Sequence, residues 1–214
     1  MTVNAVDFAS LLCSRLCHDL LSPVGALNNG LELLADEHDP EMRTRVLELL
    51  NDSARASANK LKFFRLAFGA AGGFGDLVDS REAKTAIEGL FGNNKKVELG
   101  WLVNEPSLSK PAIKVLLNLA MIAGDALVRG GRLDVGAEVH GNVTEIVIRA
   151  EGERLVLDSE LRTALVGDAD ENAIAPRAAA AWLAHLIASE SGGGVQVSDP
   201  DQPFILFGAT LKDE

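Results

Sequence analysis

Two heptad runs separated by a charged turn limit what this chain can fold into more than any other feature. In the first run Cys13, Cys17, Leu20, Val24, Leu27, Leu31 and Leu34 recur at alternating intervals of four and three. In the second, Leu47, Leu50, Ala54, Ser57, Leu61, Phe64 and Phe68 repeat the pattern with small residues in the middle. That spacing lines apolar side chains along one stripe of a helix, the seam of a coiled coil or bundle. Between the runs, Asp36-Glu37-His38-Asp39-Pro40 reads as a turn, and Pro40 suits the first turn of the helix after it. The pattern therefore predicts one helix from about Ala5 to Ala35 and an antiparallel partner from about Asp39 to Ala70. Two such helices cannot cover their own apolar faces, so a second copy is expected to complete a dimeric four-helix bundle.

Helical periodicity breaks at Gly69-Ala70-Ala71-Gly72-Gly73-Phe74-Gly75. This divides the chain into a helical hairpin, residues 1–72, expected to dimerise, and a second domain, residues 73–214. In the second part Asp79 and Glu82 fit a capping box for a helix to about Phe91, and Lys96 to Val103 reads as a strand. Ser109-Lys110-Pro111 opens a helix to about Arg129, and Leu133 to Val139 with Thr144 to Ala150 reads as a hairpin of strands. Asp158 to Val166 and Pro176 to Ser191 follow as helices, and Val195 to Val197 and Phe204 to Thr210 as strands. The fold class is α+β: an antiparallel helical hairpin, then an α/β sandwich whose mixed sheet carries helices on one face.

Composition narrows the partners. Net charge is −11 over 214 residues, and it is uneven: residues 1–72 hold 9 acids against 7 bases, residues 73–214 hold 22 against 13. An acidic surface repels phosphate backbones, so protein partners are expected and nucleic acid is not. No apolar run approaches the ~20 residues of a membrane span. The opening MTVNAVDFAS has neither the basic region nor the apolar core of an export signal, so a cytoplasmic location is expected. Cys13 and Cys17 stand four apart on one helix face, where they serve better as buried small hydrophobes than as a disulfide. A haem-attachment reading of Cys13 to His18 fails because that motif puts two residues between its cysteines. His38, His140 and His185 have no comparable context.

Beside the seam runs a polar stripe: Arg15, His18, Ser22, Gly25, Asn29 and Glu32, spaced 3, 4, 3, 4, 3 with no large apolar residue. It places His18 on the solvent side of the first helix. An exposed neutral imidazole can act as a nucleophile. Asp19 can hydrogen-bond the other ring nitrogen, fixing the tautomer and offsetting the positive charge that develops. Pro23 removes one backbone hydrogen bond and can kink the helix just past His18. In the antiparallel hairpin His18 is expected beside residues 55 to 62, where Arg55, Asn59, Lys60 and Lys62 stand, with Arg65 a turn further. Cations there suit an anionic group carried beside His18 and an acidic partner site.

The segment Leu16-Cys17-His18-Asp19-Leu20-Leu21-Ser22-Pro23-Val24 resembles the H-box of sensor histidine kinases. Residues 75 to 214 resemble the layout of their ATP-binding domain but not its chemistry. Leu116 to Ala120 with Gly124-Asp125-Ala126 looks like a worn N-box. Ala150 stands where the adenine-reading acid is usual, Arg154 near a missing second glycine, and Pro176 to Ala181 where a glycine-rich phosphate loop is usual. An H-box bundle fused to a degenerate kinase ATPase-like domain is similar, along the full chain, to the ChpT-type histidine phosphotransferases of alphaproteobacterial phosphorelays. It is more distantly similar to the sporulation phosphorelay phosphotransferase.

That resemblance implies a transferase phosphorylated on His18 with no ATP and no cofactor or metal of its own, Mg2+ being supplied by the partner receiver domain. It implies as donor the receiver of a CckA-like hybrid histidine kinase, as acceptors response regulators such as CtrA and CpdR, and a docking face formed by the bundle around His18. Leu21 departs from the arginine usual in the kinase H-box, and Ser22 from the threonine; both fall on the expected docking face with Arg15 and Gly25. The rival readings are an active kinase with an atypical ATP site and a non-catalytic dimeric scaffold for regulators.

Overall fold

The computed structural model describes residues 4–69, 76–92, 97–170 and 174–212. Helices α1 (Ala5–Asp36) and α2 (Pro40–Ala67) form the antiparallel hairpin. Local chemistry sets their starts. The Asn4 side chain accepts from the Val6 amide, and Asp39 accepts from the amides of Glu41 and Met42, with Pro40 next in line. Expected to reach about Ala70, α2 closes at Ala67 with Phe68 as its cap; Ala70 lies outside the described residues, with most of the glycine-rich stretch.

The second part runs β1 (Leu77–Asp79), α3 (Ser80–Phe91), β2 (Val97–Val103), β3 (Ser107–Ser109), α4 (Lys110–Ala126), β4 (Gly131–His140) and β5 (Val143–Glu151). It continues with α5 (Ser159–Val166), a 3-10 turn (Pro176–Ala178), α6 (Ala179–Glu190), β6 (Gly194–Val197) and β7 (Ile205–Lys212). Asp79, Ser109 and Asp158 cap α3, α4 and α5 through their side chains. The helix expected to reach about Arg129 stops at Ala126. Leu127 turns into the core, and Gly130 and Gly131 take positive φ to swing the chain into β4.

The main sheet has the order β2-β4-β5-β7-β6, with β2 parallel to β4 and the other pairs antiparallel. The β4–β5 hairpin turns through Gly141 and Asn142; Gly141 sits at φ +65, as the first central position of a II′ turn requires. Strands β1 and β3 pair separately as a small antiparallel ribbon that periodicity did not reveal. Alternation is clean: Leu133, Val135, Ile146, Ile148, Phe207 and Leu211 point into the core, while Leu102 and Val147 face out. Helices accordingly cover one face.

One continuous core joins both parts of the chain. Phe63, Phe64, Leu66 and Ala67 at the end of α2 belong to the same buried cluster as α3, α4 and the sheet, and Phe8 and Leu16 of α1 pack against it. Phe63 meets Phe64 edge-on with ring centroids 5.8 Å apart, and Phe64 stacks on Phe68 at 5.1 Å. Polar ties reinforce the junction. The buried Asn118 amide of α4 donates to the Ala67 carbonyl, one of the acceptors left open at the end of α2. Asn59 donates to the Gly89 carbonyl near the end of α3.

Within the hairpin the heptad seam divides. Leu20, Leu27 and Leu34 of α1, and Leu50, Ser57 and Phe64 of α2, are half-buried or buried. The alternate positions Cys17, Val24, Leu31, Leu47, Ala54 and Leu61 are exposed, and so is Cys13. The expectation that both cysteines are buried is therefore corrected for the single chain. The reason is geometric: α2 packs on α1 through closely fitted positions such as Gly30, whose absent Cβ leaves room for Leu50, and it reaches only half of the seam.

Candidate functional site

His18 sits midway along α1 with its side chain 84% exposed, as the polar stripe predicts. Its Nδ1 lies 3.3 Å from Oδ1 of Asp19, whose side chain is only 18% exposed. A carboxylate can only accept, so this contact is a hydrogen bond when Nδ1 carries the proton, and Nε2 then keeps the free lone pair. The other carboxylate oxygen, Oδ2, accepts from Arg15 Nε at 2.8 Å. Asp19 is thus held on both sides.

Pro23 leaves α1 continuous, but it has no amide hydrogen to give the carbonyl four residues back, which belongs to Asp19. Lys60 Nζ of α2 donates to that carbonyl at 2.7 Å. The proline beyond the histidine and the lysine of the facing helix therefore act as one unit: the first frees an acceptor, and the second takes it. Of the expected cations, Lys60 is the one brought to this place.

The other predicted residues are distributed differently. Leu21 is 70% exposed, and Ser22 and Gly25 are exposed on α1. A Cβ added to Gly25 would meet nothing within 4 Å. Arg55 is exposed on α2. Asn59 and Lys62 do not join Lys60: Asn59 is tied to α3, and both line a groove between α2 and α3 with Arg65 and Arg81. The helix turn explains this, because residues 59 and 62 lie about 100° and 160° around α2 from residue 60, and α3 packs against that flank.

Beside His18 opens a cleft of about 500 Å³. Arg15, Asp19 and Ser22 of α1 form one side, Asp52 and Lys60 of α2 the floor, and Phe91, Met121 and Asp125 the opposite wall. The wall comes from the second part of the chain, and sequence reasoning missed it. Arg15 crosses the cleft mouth, its Nη2 donating to Asp125 Oδ2 at 3.1 Å. One signal was available: Asp125 is an acid in the last turn of a helix, where the macrodipole disfavours negative charge. Gly124 beside it admits the Phe91 ring, which a Cβ there would strike.

Elsewhere, the Arg81 guanidinium holds the partly exposed Asp79 carboxyl down to about 2 through a charged hydrogen bond, and burial lowers Lys114. Among the described residues no cluster of His, Cys, Asp and Glu is arranged to hold a metal. No described helix is long and apolar enough to cross a membrane.

Comparison with known proteins gives the family. Residues 80–203 match the family profile described as the histidine phosphotransferase C-terminal domain. The chain is 36% identical over 197 residues to the protein phosphotransferase ChpT of Brucella abortus strain 2308, covering 92% of each chain. A solved structure described as a bacterial phosphotransferase superposes with a TM-score of 0.84 at 34% identity, covering 98% of both chains.

Proposed function

Since the chain belongs to the histidine phosphotransferase family, we propose that His18 is the residue that carries the phosphoryl group, taking it from the phosphoaspartate of one receiver domain and giving it to the aspartate of another. The observation that carries this reading is a single one: the H-box helix presents a highly exposed imidazole whose Nδ1 is engaged by a held carboxylate. Uptake forms a bond from Nε2 to phosphorus as the bond from phosphorus to the donor aspartyl oxygen breaks, and that electron pair leaves with the donor carboxylate. The ring then holds the phosphoryl group on Nε2 and the proton on Nδ1, a cationic species that Asp19 faces. Delivery reverses the step, with the acceptor carboxylate attacking phosphorus and the neutral imidazole returning. Mg2+ belongs to the receiver sites.

By family likeness the donor is the receiver of a CckA-like hybrid kinase and the acceptors are regulators such as CtrA and CpdR. Leu21, Ser22, Gly25 and Arg15 form the docking face beside His18, with Lys60 below and Arg55 exposed further along α2, whereas Asn59 and Lys62 lie on the flank that faces α3. The exposed half of the seam supports a homodimer, because a second hairpin would cover Val24, Leu31, Leu47 and Leu61 in the geometry of a four-helix bundle. Two features favour transfer without ATP. Ala150 is fully buried in β5, and Ala178 to Ala181 are buried in a segment that α1 lies against.

The test is to mix the protein with a phosphorylated receiver domain. Acid-labile, base-stable label is expected on the wild type and none on His18→Ala. Label taken up from ATP and magnesium without any partner favours a kinase, and binding without label favours a scaffold.

A further inference from the structure

We infer that Asp125, at the end of α4, is a positioning residue for the histidine site: it occupies one arm of Arg15 and so leaves an oxygen of Asp19 for His18. The inference rests on the reading of His18 given above. Arg15 and Asp19 stand four apart on α1, a spacing at which a guanidinium readily takes both oxygens of a carboxylate. Here it takes one. Nε bonds Oδ2 of Asp19, while Nη2 is turned across the cleft to Asp125, and Oδ1 of Asp19 remains directed at His18 Nδ1.

The placement of Asp125 makes no sense for α4 alone. An acid in the last turn of a helix faces the partial negative charge of the open carbonyls, and α4 has no basic residue in that turn to offset it. The position is nevertheless fixed firmly, because the preceding Gly124 lets the Phe91 ring lie against the helix end. Half-exposed Asp125 therefore reaches Arg15 from a rigid base. This gives the second part of the chain a task at the site without any nucleotide: it divides the arginine between two carboxylates.

When Asp125 is removed, Nη2 swings back to Asp19, the pair becomes bidentate, and His18 loses the acceptor that fixes its tautomer. Asp125→Ala is expected to slow phosphoryl uptake at saturating receiver about tenfold, the low end for an outer partner of a functional histidine, with the apparent receiver affinity unchanged. In an Arg15→Ala background no guanidinium competes for Asp19, so adding Asp125→Ala is expected to change the rate less than about twofold. An equal slowing in both backgrounds, or a loss confined to receiver affinity, overturns the inference. Ring ¹⁵N shifts of His18, recorded without receiver or phosphoryl donor, supply an independent readout. Asp125→Ala is expected to convert a mainly Nδ1–H ring into a mixture, and the Arg15→Ala pair to show no such difference. An unchanged tautomer with normal transfer sinks the role of Asp125; a changed tautomer in a protein that takes up no phosphoryl group sinks the transfer reading instead.

Discussion

Helix α1 is 32 residues long and buries one of them, Gly30; α4 is 17 residues long and buries thirteen. Both are rich in Leu and Ala. The difference is that α4 lies between the sheet and a layer formed by α2, α3 and α6, so it is surrounded, whereas α1 touches the rest of the chain along one side only. An apolar residue on α4 is there to hold the fold. One on the outer side of α1 has no such use within a single chain, and its purpose must lie in what α1 meets.

The largest effect therefore belongs to α4. Leu117→Ala removes a fully buried side chain and is expected to cost ~2–5 kcal/mol, read as a fall in the urea midpoint that does not depend on protein concentration. A loss below about 1 kcal/mol would mean that the core can collapse around the gap, and the contrast with α1 would blur.

Val24→Glu on α1 tests the other half. In the single chain Val24 is half-exposed, so the fold should survive. Covering the remaining half of such a side chain is worth ~1 kcal/mol per copy, so two copies losing it should weaken self-association by roughly tenfold or more. Sedimentation across a dilution series measures this. A wild type that is already monomeric at high micromolar concentration would break the comparison, leaving the outer seam without an occupant.

How much of this could be read from the sequence follows the same division. The hairpin, the polar stripe of His18 and the capped starts at Asp39-Pro40, Ser109-Lys110-Pro111 and Asp158 were legible, because each depends on residues within a turn or two of one another. The side of the seam that Cys13 and Cys17 would face was not, since a heptad run marks apolar positions without saying which neighbour covers each. Nor was the separation of Asn59 and Lys62 from Lys60, because it depends on where α3 docks. The pairing of Arg15 with Asp125 spans 110 residues of chain, and only packing brings those two together.

Lys60→Met probes the tie between the hairpin helices. It keeps the aliphatic stem but leaves the Asp19 carbonyl without its donor, at a cost of about 1 kcal/mol. Introducing Pro23→Ala as well restores an amide hydrogen for that carbonyl, so the Lys60 effect should shrink in the Pro23→Ala background. Equal losses in both backgrounds would show that the lysine and the proline act separately.

Gly25 gives the smallest change and the most specific one. A glycine inside an exposed helix costs ~0.5–1 kcal/mol relative to alanine. Elsewhere the chain offers a reason: Gly30 admits Leu50 and Gly124 admits Phe91. At Gly25 a Cβ would enter open space. Nothing among the described residues offsets the cost, and the residue lies about 10 Å along the helix from His18, on the same stripe. Gly25→Ala should therefore raise the melting temperature by a few degrees while weakening receiver docking, seen as slower transfer at limiting receiver and a normal rate at saturation. Stabilisation with unchanged transfer at every receiver concentration would remove Gly25 from the docking face, and would leave the outward side of α1 to the dimer seam and His18.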